Sequence, residues 1–335
     1  MEGKYSLPKD GGLIAGAVPR DIIHRYEKIP TTIFHSEHEG TLYVVDKIVN
    51  SIKEYEQSSC IDEVGTVAEP FVLGLSTGDT PLGVYRELVN RYNNGEVSFK
   101  NVAVFSIDEF YPIEAADCRS RNYRIHSEFL NHIDIKPENI HLPDGTVAMD
   151  KISEYCAEYD KSINKIDLMI LGVGEQGQIG FNEPGSYAKS RTRLVQLSYN
   201  SRKVKSSIFR GLNNTPTMAI TIGLSTVARA KEVVMMAWGE HKADIVQRMV
   251  EGEISDMVPA SHLQSYTGVE IVVDEDAAQN LTCEQTPWLV GPCNWTPKFI
   301  RKAVVWLCGV VNKPILKLTY DDYIENSLGD LLEKT

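Results

Sequence analysis

The stretch that most narrows the fold is Ile166–Ser186, IDLMILGVGEQGQIGFNEPGS. From Ile166 to Gly172 it is apolar except at Asp167, the composition of a strand buried on both faces of a parallel sheet. Gly172, Gly174 and Gly177 follow at once. Glycine lets a backbone turn sharply and approach a ligand closely, and the carboxyl edge of the strands is where open α/β sheets place their sites. Asn182, Glu183 and Pro184 then set an amide and a carboxylate beside a rigid turn. A glycine-rich strand-to-helix connection without chemistry has the same appearance, so the rest of the chain must decide between the two readings.

Upstream lies a second unit of this kind. Gly40–Gln57 carries Leu42, Val45, Ile48, Val49, Ile52 and Tyr55 at the spacing of an amphipathic helix. A polar loop (Ser58–Glu69) follows, then a short buried strand, Phe71–Leu75. Ser76, Thr77, Gly78, Asp79 and Thr80 lead through Pro81 into a helix over Leu82–Asn93, with the proline suited to its first turn. Free backbone N–H groups and the helix dipole make such a loop an anion site. It is not a P-loop, because the GxxxxGK[ST] lysine is absent. Asp79 opposes an anion unless its side chain points away, and plain N-capping by Ser76 or Thr77 is the alternative. Val102–Ile107 is a further buried strand that ends in Asp108-Glu109. A carboxylate at that edge could act as a general base; otherwise Asp108 caps the next turn and Glu109 is solvated.

Lys136–Pro143 reads as a loop ahead of a helix near Met149–Ile163. Strands are expected at Thr192–Leu197, Met218–Ile222, Glu232–Trp238 and Val269–Val273, with short helices at Arg202–Phe209 and Pro259–Gln264. A helix from Lys242 to Glu251 has a cation in its first turn, a conflict with the dipole that a bound anion would relieve. The alternation predicts an α/β fold: a three-layer αβα arrangement around a mostly parallel, Rossmann-like sheet. We expect an irregular N-terminal arm (1–38), packed on the body or on a neighbouring subunit, one main domain (39–282) and a helical C-terminal extension (283–335). Trp288, Trp295 and Trp306 gather in the extension, where Thr296–Val311 has a helix start and an apolar face.

A net charge of −12 argues against a nucleic-acid partner, while leaving room for a local basic pocket. No apolar run reaches membrane-spanning length, and Met1–Lys9 lacks a signal peptide's apolar core. Six scattered cysteines (Cys60, Cys118, Cys156, Cys283, Cys293, Cys308) without a CxxC pair fit free thiols in a cytoplasmic protein. The histidines show no HxxxH or HxH spacing, so no metal site is expected.

LGLSTGDTPLGVYRELV, FSIDEF and LGVGEQGQIGFNEPGS, with the trailing SRTRLVQLS, together resemble the glucosamine-6-phosphate deaminase (isomerase) family. NYRIHSEFLNHIDIKPENIHLPDG, MAITIGLSTVARAKEVVMMAWGEHKA and PASHLQ extend the likeness over roughly residues 35–280. The FNEPGS ending looks like the deaminases and unlike the related 6-phosphogluconolactonases. The resemblance implies a cofactor-free reaction on a small-molecule sugar phosphate. An aminosugar phosphate opens, a carboxylate moves a proton from C2 to C1, and the imine is hydrolysed to fructose 6-phosphate and ammonia. By the matching motifs Asp108 is the proton-shuttling base, and Ser76, Thr77, Gly78, Asp79 and Thr80 hold the phosphate with Lys242. Glu183 assists ring opening, and Gly172 and Gly174 let the sugar lie against the backbone. The family is commonly oligomeric, which implies a homo-oligomer.

The departures are informative. Gln176 and Gln178 stand where the family has an aspartate and a ring-opening histidine. Glutamine has no titratable proton near neutral pH, so Gln178 can hydrogen-bond a ring oxygen but cannot exchange a proton with it. Ser207 replaces a phosphate-binding arginine, for which Arg210, one helical turn on, is a substitute. Val195 replaces a lysine of the family's allosteric site, although Arg193 is retained. Three readings follow: an active deaminase or isomerase, a catalytically impaired sugar-phosphate-binding or regulatory module, or an isomerase or hydrolase of another sugar phosphate.

Overall fold

The computed structural model describes residues 26–58 and 69–333. Nearly all of the expected Ser58–Glu69 loop, with Cys60, and residues 1–25 of the expected arm lie outside these. Ten strands are present among the described residues: β1 (Thr31–Phe34), β2 (Phe71–Leu75), β3 (Val102–Ser106), β4 (Asp108–Tyr111), β5 (Ile140–His141), β6 (Ile166–Gly172), β7 (Arg193–Gln196), β8 (Met218–Thr221), β9 (Ala230–Ala237) and β10 (Val269–Asp274). Seven of them form one sheet in the order β1-β10-β9-β6-β2-β3-β5, and every pairing in it is parallel. The chain winds outward from β2 to β3 and β5, then crosses to β6 on the other side of β2. Winding therefore reverses between β2 and β6, and in open α/β sheets ligands bind outside the carboxyl ends of the strands at such a switch point.

The period-2 geometry of β6 divides the core. Leu168 and Ile170 face one layer, with Val45, Ile48 and Ile52 of the Glu37–Ser58 helix and Val84, Tyr85 and Leu88 of the Leu82–Asn93 helix. Met169 and Leu171 face the other, with Ile245, Val246 and Met249 of the Ala243–Val250 helix. Helices cover both faces, which is why β2 and β3 are buried along their whole length. The α/β class expected from the sequence is the class observed.

Four local differences bear on the site. β1 lies inside the stretch expected to be irregular and forms the sheet edge beside β10. The Lys136–Pro143 loop contains β5, which pairs with β3. The short helix expected over Arg202–Phe209 instead runs over Tyr199–Lys205, capped by Ser198, whose hydroxyl accepts from Ser201 N–H. Asp108 does not end a parallel strand. It begins β4, part of a small antiparallel sheet ordered β4-β8-β7 that the sequence reading did not anticipate.

In the C-terminal segment Thr296 caps the Pro297–Val311 helix by accepting from Phe299 N–H. Trp288 meets Phe299 and Trp306 at ring distances of 5.4 and 5.3 Å, the heart of a separate small core. Where this segment meets the body, Glu27 is only 3% exposed, and burial pushes its carboxyl from the ordinary 4.5 up to about 7, against a hydrogen bond with Cys283. A carboxyl with a raised folded-state pKa lends its full stability below its unfolded value and loses it as pH rises through the folded one. Thermal stability should thus decline between about pH 4.5 and 7, by roughly 2–3 kcal/mol from this group. Melting curves of Glu27→Gln should be flatter over that interval; a parallel decline would remove Glu27 as its source.

Candidate active site

Four neighbouring strands, β3, β2, β6 and β9, deliver the candidate residues to one edge. After β2 the chain passes toward β6, with Ser76 N–H donating to Ile170 O at 3.0 Å. The Leu82–Asn93 helix begins after Pro81 without a side-chain cap. Ser76 and Thr77 are therefore not capping it: Thr77 Oγ1 donates to Asp108 Oδ1 at 2.9 Å, and the buried Ser76 Oγ has no partner among the described residues. Space around Gly78 is open, since a side chain there would meet nothing within 4 Å.

Asp108 occupies the seam between the two sheets. Ile107 N–H still donates to Leu75 O of β2, while Ile107 O already accepts from Ile222 N–H just past β8. The next residue is paired antiparallel with Thr221. Asp108 is 4% exposed and Thr77 2%. Gly180, at φ +57°, closes the other side of the carboxylate: a Cβ there would sit 3.2 Å from Asp108 Oδ2 and 3.0 Å from Thr221 Oγ1. Glu109 is not solvated. Fully buried, it accepts from Ser120 Oγ, Phe110 N–H, Arg121 N–H and Asn122 N–H, and so anchors the start of the Arg121–Glu128 helix. Burial raises its pKa and these four donors oppose the rise.

That helix brings in two cations that the motifs did not single out. Arg121, 6% exposed, packs against the adjoining rings of Phe110 and Phe181, and its Nη1 donates to Thr77 O at 2.8 Å. Its Nε is 4.0 Å from Asp108 Oδ1 and makes no hydrogen bond among the described residues. Arg124, three residues on and so on the same helix face, donates from Nη2 to Asp79 Oδ1 at 2.5 Å. Lys205, at the end of the Tyr199–Lys205 helix, reaches Asp79 Oδ2 at 3.6 Å. Burial and then the Arg121 charge hold the Lys205 pKa below its ordinary value. The pKa of Asp79 lies below the usual carboxylate value because, against partial burial, the Arg124 hydrogen bond and the Lys205, Arg124 and Arg121 charges win. Lys242 is turned to the same edge, donating from Nζ to Val173 O at 2.9 Å, and burial lowers its pKa.

The remaining expected residues are placed differently. The spaces beside Gly172 and Gly174 are filled by protein: an added Cβ would lie 3.0 Å from Thr80 and 2.1 Å from the Gln178 side chain. These glycines admit neighbouring side chains rather than a ligand's closest approach. Gln178 Oε1 accepts from Gln176 N–H at 2.9 Å, so the group it can still offer is its NH₂. Glu183 accepts from Ser198 N–H at 3.0 and 3.3 Å, fastening the FNEPGS turn to the helix that carries Lys205. Asn182 is structural, donating to Ile179 O and Ile222 O and accepting from Arg193 Nη1. Arg210 lies past the end of the helix that the sequence reading placed it on. The helix stops at Lys205, the backbone at Arg210 is left-handed (φ 55°), and its side chain is exposed.

The Ser76–Thr80 loop thus lies at the switch point of a parallel sheet, with the buried Asp108 carboxylate at the adjoining seam. Residues 44–272 match the family model for glucosamine-6-phosphate isomerases/6-phosphogluconolactonase, and the chain belongs to that family. It is 43% identical over 319 residues, 94% of its length, to a glucosamine-6-phosphate deaminase-like protein of Bacteroides thetaiotaomicron, of which it spans only about half (47%). A glucosamine-6-phosphate deaminase of Thermoanaerobacter pseudethanolicus is 39% identical over 210 residues, 62% of this chain and 82% of that one. Among solved structures a monomeric glucosamine-6-phosphate deaminase superposes with a TM-score of 0.69 at 30% identity, covering 75% of this chain and all of the other. No helix among the described residues is long and apolar enough to cross a membrane.

Proposed function

We propose that the protein is an aminosugar-phosphate deaminase that converts glucosamine 6-phosphate and water to fructose 6-phosphate and ammonia. The observation that carries this reading is the buried Asp108 carboxylate, held by Thr77 of the anion loop. In this reading the phosphoryl group lies over the loop amides near Lys242, and the open sugar chain runs toward Asp108. Asp108 removes the C2 proton of the aldose and returns it to C1, so the aminoenol becomes the ketose imine. Water adds at C2 and ammonia leaves. The proton comes back to the molecule it left and no electrons are exchanged, so the step requires no redox cofactor. Arg121 Nε stands 4.0 Å from Asp108 Oδ1, a cation beside the reacting carboxylate.

Ring opening needs a proton taken from the anomeric hydroxyl and one given to the ring oxygen. Gln178 cannot supply that exchange, and Glu183 is the carboxylate that the family resemblance assigns to it. The neutral Gln176–Gln178 contact favours a second reading, a sugar-phosphate-binding module without turnover. A coupled assay for ammonia and fructose 6-phosphate distinguishes them. Turnover that exceeds an Asp108→Asn control supports the enzyme; micromolar binding without product supports the module.

The proposal takes residues 39–282 as the enzymatic domain, cytoplasmic and homo-oligomeric. Truncation at about residue 282 followed by size-exclusion chromatography should shift the profile if 283–335 contributes to an interface.

A further inference from the structure

We propose that Arg124 and Lys205 grip the phosphoryl end of the ligand and that Asp79 is their resident counter-ion, displaced when that group arrives. This rests on the sugar-phosphate reading of the site and adds to it the side chains that select the phosphate.

Two separate helices converge here. Arg124 comes from the Arg121–Glu128 helix and Lys205 from the end of the Tyr199–Lys205 helix, and they meet a single carboxylate at 2.5 and 3.6 Å. Asp79 belongs to the anion loop itself and its side chain is 70% exposed, against 23% for Arg124 and 20% for Lys205. The carboxylate is thus the outermost of the three, lying where an incoming anion first meets the cations. Two cations sharing one carboxylate retain excess positive charge, which a phosphate monoester, close to dianionic at neutral pH, satisfies better. An ion pair this open to water contributes little, so breaking it costs little. Two buried donors nearby also lack an acceptor among the described residues, Ser76 Oγ on the same loop and Arg121 Nε one turn before Arg124. Lys205 further accounts for Ser207: a cation two residues earlier does the work that an arginine at that position would do.

The test is isothermal titration of inorganic phosphate and of fructose 6-phosphate into wild type, Asp79→Asn, Arg124→Met, Lys205→Met and Lys242→Met, each checked by thermal melting. Asp79→Asn keeps the shape and removes the competing charge, so it should bind both ligands about tenfold tighter. Arg124→Met and Lys205→Met should each bind about tenfold or more weakly. In the double variant Asp79→Asn/Lys205→Met the gain should vanish. Unchanged or weaker binding by Asp79→Asn overturns the counter-ion role. Wild-type affinity in both cation variants, with loss in Lys242→Met, overturns the grip while leaving the sugar-phosphate site intact. If wild type binds neither ligand, the inference and the reading beneath it fail together.

Discussion

Asp108→Asn should lower turnover of glucosamine 6-phosphate by about 10²–10⁴-fold, the usual contribution of a general acid–base group. Affinity for fructose 6-phosphate should stay within about threefold, because the phosphate is held elsewhere. Asparagine is isosteric, and its carbonyl oxygen can still accept from Thr77 Oγ1, as Asp108 Oδ1 does at 2.9 Å. It cannot accept the C2 proton. Loss should therefore fall equally on kcat and kcat/KM, the pattern of a group acting in the transition state. A parallel collapse of binding would instead make Asp108 a support for the seam between β3 and β4.

The second large effect is a gain. Gln176→Asp/Gln178→His should raise kcat on the cyclic sugar phosphate by about 10²–10³-fold if ring opening limits the natural chain. The wild-type loop has settled into a neutral arrangement in which Gln178 folds over Gly174 and accepts from Gln176 N–H. An imidazole with a carboxylate beside it restores a group that can both accept and give a proton near pH 6.5. The gain should come with a new limb in the pH–rate profile in that region. If the double variant matches wild type, ring opening is not limiting, and either Glu183 performs it or the substrate arrives open.

How far the sequence could be read depended on whether the cause of each feature was local. β2, β3 and β6 are apolar runs buried on both faces, and their composition alone identifies them. β1 begins with two threonines at a sheet edge and β5 has only two residues, so neither leaves a hydrophobic signature. β4 reads DEFY, and its pairing with β8, more than a hundred residues away, is long-range information. The Ser76–Thr80 connection between β2 and the next helix was legible from its small residues before Pro81. Arg121 and Arg124 were visible only as an i, i+3 pair after Ser120, whose hydroxyl accepts from Tyr123 N–H and caps that helix. Lys205 required knowing where a distant helix docks. The helical spacing that pointed to Arg210 ends at Lys205, where the chain leaves the helix. Gly172 and Gly174 were read as places where a sugar lies against the backbone, and only the fold shows that Thr80 and Gln178 approach them.

The central claim is that Asp108 carries the proton between C2 and C1 of a bound sugar phosphate. NMR of glucosamine 6-phosphate deuterated at C2, in ordinary water, follows that transfer directly, through deuterium appearing at C1 of the fructose 6-phosphate that accumulates with ammonium. The account predicts labelled product with wild type and none above background with Asp108→Asn. Unconverted substrate, or product without deuterium at C1, from a wild-type protein that still binds fructose 6-phosphate would contradict it.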